Sequence, residues 1–206
     1  MSGVVLYGPP TAGKDTITSA LSAADPRFRL VTKLKQGSGR SAGYRFVTSE
    51  ELSGLRDQGR IVVETRRYGN VYAVDRRDIA ELRSQGLIPV VHIGNVADLR
   101  RLLGGAAADW LRVLLWVPAD VCEERSRLRG DADTTKRLTA WAETAADLLG
   151  ADVDGLFDVI VRTDRLSVDA AVEAIGRALH AAPRACTPDE LRSVLDLHPT
   201  AEAKGN

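Results

Sequence analysis

Residues 8–16 read Gly8-Pro9-Pro10-Thr11-Ala12-Gly13-Lys14-Asp15-Thr16, a pattern whose spacing has one clear chemical use. Glycines five positions apart let the backbone turn successive N–H groups onto one phosphate, and the lysine directly after the second adds a cation for the outer phosphates of a nucleotide. The apolar run Val4 to Tyr7 precedes the loop and a helical pattern follows it. A helix starting there adds the positive end of its dipole to the same anion site. Where this pattern ordinarily places a Ser or Thr hydroxyl for Mg²⁺, the chain has Asp15, with Thr16 next. Two readings follow for the metal: the Asp15 carboxylate takes it, directly or through water, or the Thr16 hydroxyl takes it by a small shift.

The elements that must hold this loop are legible as an alternation. Short apolar runs at Val4 to Tyr7, Arg29 to Thr32, Ile88 to Ile93, Arg112 to Val117 and Phe157 to Val161 read as strands. Helical patterns at 14–24, 76–85, 96–103, 119–128, 134–149 and 167–180 fall between or after them. Strands alternating with helices imply a mostly parallel sheet covered on both faces. Residues 33–75 interrupt the pattern. Lys33 to Gly43 is rich in Gly and Ser and reads as a flexible loop; Tyr44-Arg45-Phe46-Val47 reads as a strand. Thr48 with Glu51 forms a capping box for a helix to about Gln58, and Arg60 to Thr65 and Val71 to Val74 read as two further strands. A capping box at Thr187 and Glu190, with Pro188 at the first helical position, starts a short helix in the tail.

The 206 residues suit one α/β domain with a small insertion. Lys plus Arg equals Asp plus Glu, at 28 each, which removes the electrostatic reason to expect nucleic acid or an anionic membrane as partner. The two cysteines, Cys122 and Cys186, form neither a disulfide framework nor a zinc pattern. The N-terminal apolar run is too short for a signal peptide or membrane span, so the expected location is cytoplasmic.

In the order of these pieces the chain resembles the guanylate kinase family over roughly residues 3–180. The resemblance rests on the loop Gly8 to Lys14, on Tyr44-Arg-Phe-Val47 followed by the capped helix, on Gly69-Asn70-Val71-Tyr72, and on Gln85-Gly86 before Ile88 to Ile93. The Pro118-led helix ending in Arg129-Gly130, followed by Arg137-Leu138, completes it. It implies that Tyr44 and Tyr72 hold an acceptor phosphate and that Arg125, Arg129 and Arg137 clamp the transferring phosphoryl group, a role suited to guanidinium. Where the family carries two acceptor-loop arginines, this chain offers Lys33, Lys35 and Arg40, beside Thr32. The family's guanine-reading glutamate falls on Val63, with Glu64 adjacent, and its two aspartates after the third core strand fall on His92 and Gly94. Arg66 and Arg67 add charge nearby. The groups that select guanine are mostly absent, so GMP is not the expected acceptor. A branch of the fold, the ribose bisphosphate phosphokinases, also resembles this chain in its Gly-Lys-Asp-Thr sequence.

The expectation is therefore an α/β P-loop kinase fold over residues 1–182: a five-stranded parallel sheet flanked by helices, with a β-rich acceptor-binding insertion at 33–75 and a lid at 126–136. Residues 183–206 form a tail. ATP and Mg²⁺ are expected at residues 8–16, with Arg162 and Thr163 near the adenine, and the catalytic set is Lys14, Arg125, Arg129 and Arg137. The acceptor, a small phosphorylated metabolite, is assigned to Thr32, Lys35, Arg40, Tyr44, Glu64, Arg66, Tyr72 and His92. His92, at a strand's carboxyl end, is read as a group that bonds the acceptor or acts as a base, with a core histidine as the bland alternative. The expected state is a monomer or homodimer. A rival reading, a non-catalytic binding module of the same fold, fits poorly with retention of Gly8, Gly13 and Lys14.

Overall fold

The structure, a computed structural model, describes residues 3–195 except 40, 42, 68, 107, 131–133, 151 and 183. In chain order the strands are β1 (Gly3–Tyr7), β2 (Phe28–Leu30), β3 (Lys33–Gln36), β4 (Tyr44–Phe46), β5 (Ile61–Arg67), β6 (Asn70–Asp75), β7 (Ile88–Ile93), β8 (Trp110–Trp116) and β9 (Val159–Arg162). The helices are α1 (Lys14–Ala24), α2 (Ser49–Asp57), α3 (Arg76–Ser84), α4 (Val96–Gly105), α5 (Ala119–Leu128), α6 (Thr134–Gly150), α7 (Val168–His180) and α8 (Pro188–Leu195).

Five strands form a parallel sheet in the order β2-β7-β1-β8-β9, as the alternation of apolar runs and helices requires. β1 lies at its centre, and Val4 to Tyr7 are fully buried because both faces are covered. On one face Val4, Leu6, Leu111 and Leu115 pack with Ile17 and Leu21 of α1 and Ile175 of α7. On the other, Val5, Tyr7, Leu114 and Trp116 pack with Leu99 and Leu102 of α4 and Leu148 of α6. The crevice at the carboxyl ends of β1 and β7 is where open α/β sheets bind ligands.

A second sheet, ordered β4-β3-β6-β5, is built from the insertion and carries α2 on its outer side. Its β3 strand lies where the sequence reads as flexible loop. Lys33 and Lys35 conceal the strand because their long polar side chains point into a cavity instead of bulk water. Leu34, between them, is fully buried beside Leu52 of α2. The capping box of α2 is formed on both sides, Glu51 N–H donating to Thr48 Oγ1 and Thr48 N–H to Glu51 Oε2. In the tail, Thr187 and Glu190 make the same reciprocal pair, and α8 buries Leu191 and Leu195 against the core face that holds Tyr7 and Phe157. The expected lid spans the end of α5 and the start of α6; its residues 131–133 lie outside the described residues. Among the described residues no helix is long and apolar enough to cross a membrane.

Candidate functional site

The loop after β1 is shaped by sterics before any ligand arrives. Gly8 has φ 155°, and a Cβ there would stand 2.3 Å from the Leu115 carbonyl oxygen of β8, so any other residue would push the loop off the sheet. Gly13 has φ 88° and serves as the N-cap of α1, a conformation costly for residues with a Cβ. Between them Thr11 holds φ 59°, its hydroxyl donating to the Cys122 carbonyl of α5. A strained non-glycine residue here keeps the loop in one shape.

Lys14 curls over this loop, its Nζ donating to the carbonyls of Gly8 at 2.6 Å and Pro9 at 2.8 Å. Burial, and next the nearby charge of Lys33, hold its ammonium down to about 7. An anion in the loop would relieve both effects.

The loop forms one end of a cavity of about 500 Å³ between the two sheets. Gly8, Pro10, Thr11, Ala12, Gly13, Lys14 and Asp15 line that end. The second sheet supplies Tyr44 from β4, Lys33 and Lys35 from β3, Tyr72 from β6, and Thr65 and Arg67 from β5. His92, Ile93, Gly94, Asn95 and Asp98 come from the end of β7 and the start of α4, and Arg129 and Arg137 from beside α5 and on α6. Six cationic side chains thus face two carboxylates, an imbalance suited to a polyanion.

Lys35 is 3% exposed, and its Nζ lies 5.4, 5.2 and 5.7 Å from the ring centres of Tyr44, Phe46 and Tyr72. The Tyr44 and Tyr72 rings are 5.3 Å apart and tilted by 55°. Aromatic faces stabilise a buried ammonium and fix its position. Lys33, two residues earlier on the same strand face, is held down to about 8 by burial. No hydrogen bond or ion pair to its ammonium occurs among the described residues.

His92 turns toward α1. One ring nitrogen is 2.7 Å from the Thr18 hydroxyl and the other 3.6 Å from the Asp15 carboxylate. Burial, then the charges of Lys14 and Lys33, hold its imidazole down to about 3. A group that resists protonation so strongly is a poor base for the acceptor. With the Thr18 hydroxyl donating to Nε2, the Nδ1 proton faces the Asp15 carboxylate at the start of α1, at a distance longer than a hydrogen bond.

Several residues assigned from sequence lie elsewhere. Glu64 and Arg66 face the opposite side of β5, where Glu64 pairs with Arg56 of α2 at 2.7 Å. Strand alternation gives the cavity to Thr65 and Arg67 instead. Arg125 does not line the cavity. Its guanidinium donates to the carbonyls of Thr11 and Thr163 and to Thr163 Oγ1, pinning the phosphate loop to the segment after β9. Thr163 Oγ1 in turn donates to the Ala12 carbonyl at 3.1 Å. Arg162 is buried, paired with Asp164 and donating to the Val194 carbonyl of α8, so it ties down the tail. Thr16 and Thr32 are exposed outside the cavity, Pro9 contributes its carbonyl to Lys14, and Arg40 lies outside the described residues. Of the two proposed metal ligands, only Asp15 lines the cavity.

Sequence reading missed Thr65, Asn95 and Asp98, and noted Arg67 only as a charge nearby without assigning it to the site. Asp98 is buried and accepts from Thr65 Oγ1, Asn95 Nδ2 and Arg101 Nη1, which stiffens the wall beside Arg67. The signal available for Thr65 and Arg67 was their shared parity with Val63 on β5.

The central parallel sheet, the phosphate loop after β1 and the helix it opens define the P-loop kinase fold. No family model matches the chain. It is 28% identical over 186 residues to guanylate kinase from Granulibacter bethesdensis, covering 87% of this chain and 84% of that one. It is 26% identical over 193 residues to guanylate kinase from Sus scrofa, covering 85% and 90%. Its fold is similar to the crystal structure of guanylate kinase from Anaplasma phagocytophilum, with TM-score 0.61 and 18% identity over 94% of this chain and 93% of that one. The chain is thus similar to guanylate kinases over most of its length and has the P-loop kinase fold.

Proposed function

We propose that this protein transfers the γ-phosphoryl group of ATP to a small phosphorylated acceptor. The observation that carries the reading is the single cavity running from the Lys14 loop to the Lys35–Tyr44–Tyr72 cluster. Loop amides and Lys14 hold the ATP phosphates. Lys35, Tyr44 and Tyr72 hold the acceptor phosphate, one of whose oxygens attacks the γ-phosphorus in line. The bond from the γ-phosphorus to the β,γ-bridging oxygen breaks, and ADP and a phosphoanhydride product leave. Arg129 and Arg137 neutralise charge on the transferring group.

Asp15 fits a Mg²⁺ site: it is a hard oxygen donor at the cavity end of α1, directly after the phosphate lysine. Bound there with the phosphates, Mg²⁺ would offset their negative charge. Asp15 would supply the oxygen that a Ser or Thr supplies in the usual pattern, with His92 the neighbouring group on its inner side. Replacing His92 by Ala should therefore raise the Mg²⁺ concentration for half-maximal turnover about tenfold, with the acceptor KM little changed. His92→Asn, which keeps a donor toward Asp15, should recover most of this. A rise in acceptor KM alone would assign His92 to the acceptor instead.

The relatives are named for guanylate, yet the positions that would read guanine carry Val63, 2% exposed in the core, and Gly94. The acceptor proposed here is accordingly a sugar phosphate or an atypical nucleoside monophosphate. Sugar phosphates suit the surplus of cations, and among them ribose 1,5-bisphosphate is the acceptor suggested by the Gly-Lys-Asp-Thr loop. ADP release measured across nucleoside monophosphates, sugar phosphates and ribose bisphosphate tests this. Turnover of GMP far above all others would overturn the argument about guanine, and ATP-independent behaviour throughout would overturn the kinase reading.

A further inference from the structure

Of the three arginines expected to clamp the transferring phosphoryl group, Arg125 braces the phosphate loop instead and does not line the cavity. Arg67 of β5 does line it, and the kinase reading gives it no role. Its place relative to the loop follows from the register of the large sheet. β1 and β7 run parallel with Tyr7 opposite Ile93, so Gly8 and Gly94 leave the sheet side by side, from strands about 4.8 Å apart. Arg67 Nη1 lies 3.6 Å from where a Gly94 Cβ would stand. Lys14 Nζ lies 2.6 Å from the Gly8 carbonyl oxygen. Guanidinium and ammonium therefore lie over neighbouring strand ends, where the phosphate loop begins. The same closeness is felt at Lys14: burial and Lys33 do most to hold its ammonium down, and Arg67 and Arg137 add to the effect. A long side chain at Gly94 would run into the guanidinium; the glycine leaves it this approach. Arg67 Nη2 donates to Glu143 of α6, the helix that also carries Arg137, at 2.8 Å.

Building on the kinase reading, we infer that Arg67 is a further catalytic residue, its guanidinium binding the γ-phosphoryl group of ATP from the β7 side of the phosphate loop. Transfer brings two anionic phosphates into contact, and their repulsion must be offset where they meet. Arg67 belongs to the sheet that carries Lys35 yet reaches the strand ends beside Lys14, so its charge acts at that meeting point. In the step, an oxygen of the acceptor phosphate gives an electron pair to the γ-phosphorus. The bond to the β,γ-bridging oxygen breaks, and its pair leaves with ADP. Arg67 keeps all its protons and hydrogen-bonds the oxygens of the group in transit through paired donors suited to phosphate. The pair with Glu143 does not cancel this role. Glu143 is 62% exposed, so the pair is weak in water and yields to a phosphate. In the empty cavity it keeps the guanidinium within reach.

The test needs no acceptor. Calorimetry in the presence of Mg²⁺ compares ADP with a non-hydrolysable ATP analogue, which differ by the terminal phosphoryl group. The wild type should bind the analogue about a hundredfold more tightly, Lys14 and Arg67 each contributing about tenfold. Arg67→Ala should cut that ratio about tenfold with ADP affinity unchanged, and Arg67→Lys, which keeps the charge, should recover part of it. Glu143→Ala breaks the link to α6 but keeps the guanidinium, so it should retain the ratio. A wild-type ratio near one, a ratio that survives Arg67→Ala, or a loss of ADP affinity as large as that for the analogue would each overturn the role. An equal loss in Glu143→Ala would also overturn it, because Arg67 would then act only as a tether for α6. In all four cases ADP still binds the wild type and the kinase reading stands. Failure of both nucleotides to bind the wild type would remove that reading itself.

Discussion

Replacing Lys14 by Ala is expected to lower kcat about a thousandfold while leaving the fold intact, as read by an unchanged circular dichroism spectrum and a melting temperature no lower than that of the wild type. The ammonium lies over the phosphate loop, where charge moves from the γ- to the β-phosphate during transfer. Removing one well-placed donor to developing charge costs about 10²–10³ in rate, and here a full cation is lost as well. Turnover of Lys14→Ala within tenfold of wild type would sink the assignment. The same group gives a pH signature. In the empty protein its proton is held at about 7, whereas an unfolded lysine keeps it to about 10.4. The folded state therefore binds fewer protons than the unfolded chain between those values, and Lys14 lets stability rise with pH from about 7 toward 10. ATP reverses the local preference, because its phosphates favour the charged form. ATP binding should accordingly take up a proton above pH 7, and affinity should fall by up to tenfold per pH unit there. Calorimetry in buffers of different ionisation enthalpy reads this uptake. Lys14→Arg, charged throughout, should abolish it.

Lys35→Met should raise the acceptor KM about a hundredfold with little effect on ATP affinity. A charged hydrogen bond contributes about 1.5–3 kcal/mol, or about 10- to 150-fold. The upper part of that range applies because three rings fix the ammonium before the acceptor arrives, so little ordering is left to do on binding. Methionine fills nearly the same volume, so the loss should not come from unfolding; burying sulfur in place of a charge should hold or raise the melting temperature. Equal losses in ATP affinity and acceptor KM would mean that the cavity as a whole had deformed, and Lys35 would lose its assignment.

Local chemistry made half of this protein legible. The phosphate loop is contiguous, its glycines and lysine act through the backbone of nine residues, and the flanking apolar strand and helix are nearest neighbours in sequence. The same holds for the capping boxes at Thr48 and Thr187, where residues three apart satisfy each other. The parallel order of the large sheet followed from the alternation of apolar runs and helices, because parallel strands need crossovers.

The side of the cavity formed by the second sheet depended on register, and register is set by partners far away in the chain. β3 looked like a loop because its lysines had no visible reason to be in a strand. The reason is a ring of aromatics contributed by Tyr44, Phe46 and Tyr72 from two neighbouring strands. Glu64 and Arg67 carry equally plausible charges in sequence, yet the alternation of β5 gives the cavity to one and the α2 face to the other. Arg125 and Arg129 lie one helical turn apart, and only the packing of α5 against the phosphate loop makes the first a brace and leaves the second facing the cavity. Sequence spacing thus determined the phosphate-loop pattern and its place after β1. The tertiary structure decided which charges line the cavity, since a strand residue's side is fixed by pairing across the sheet rather than by its neighbours in the chain.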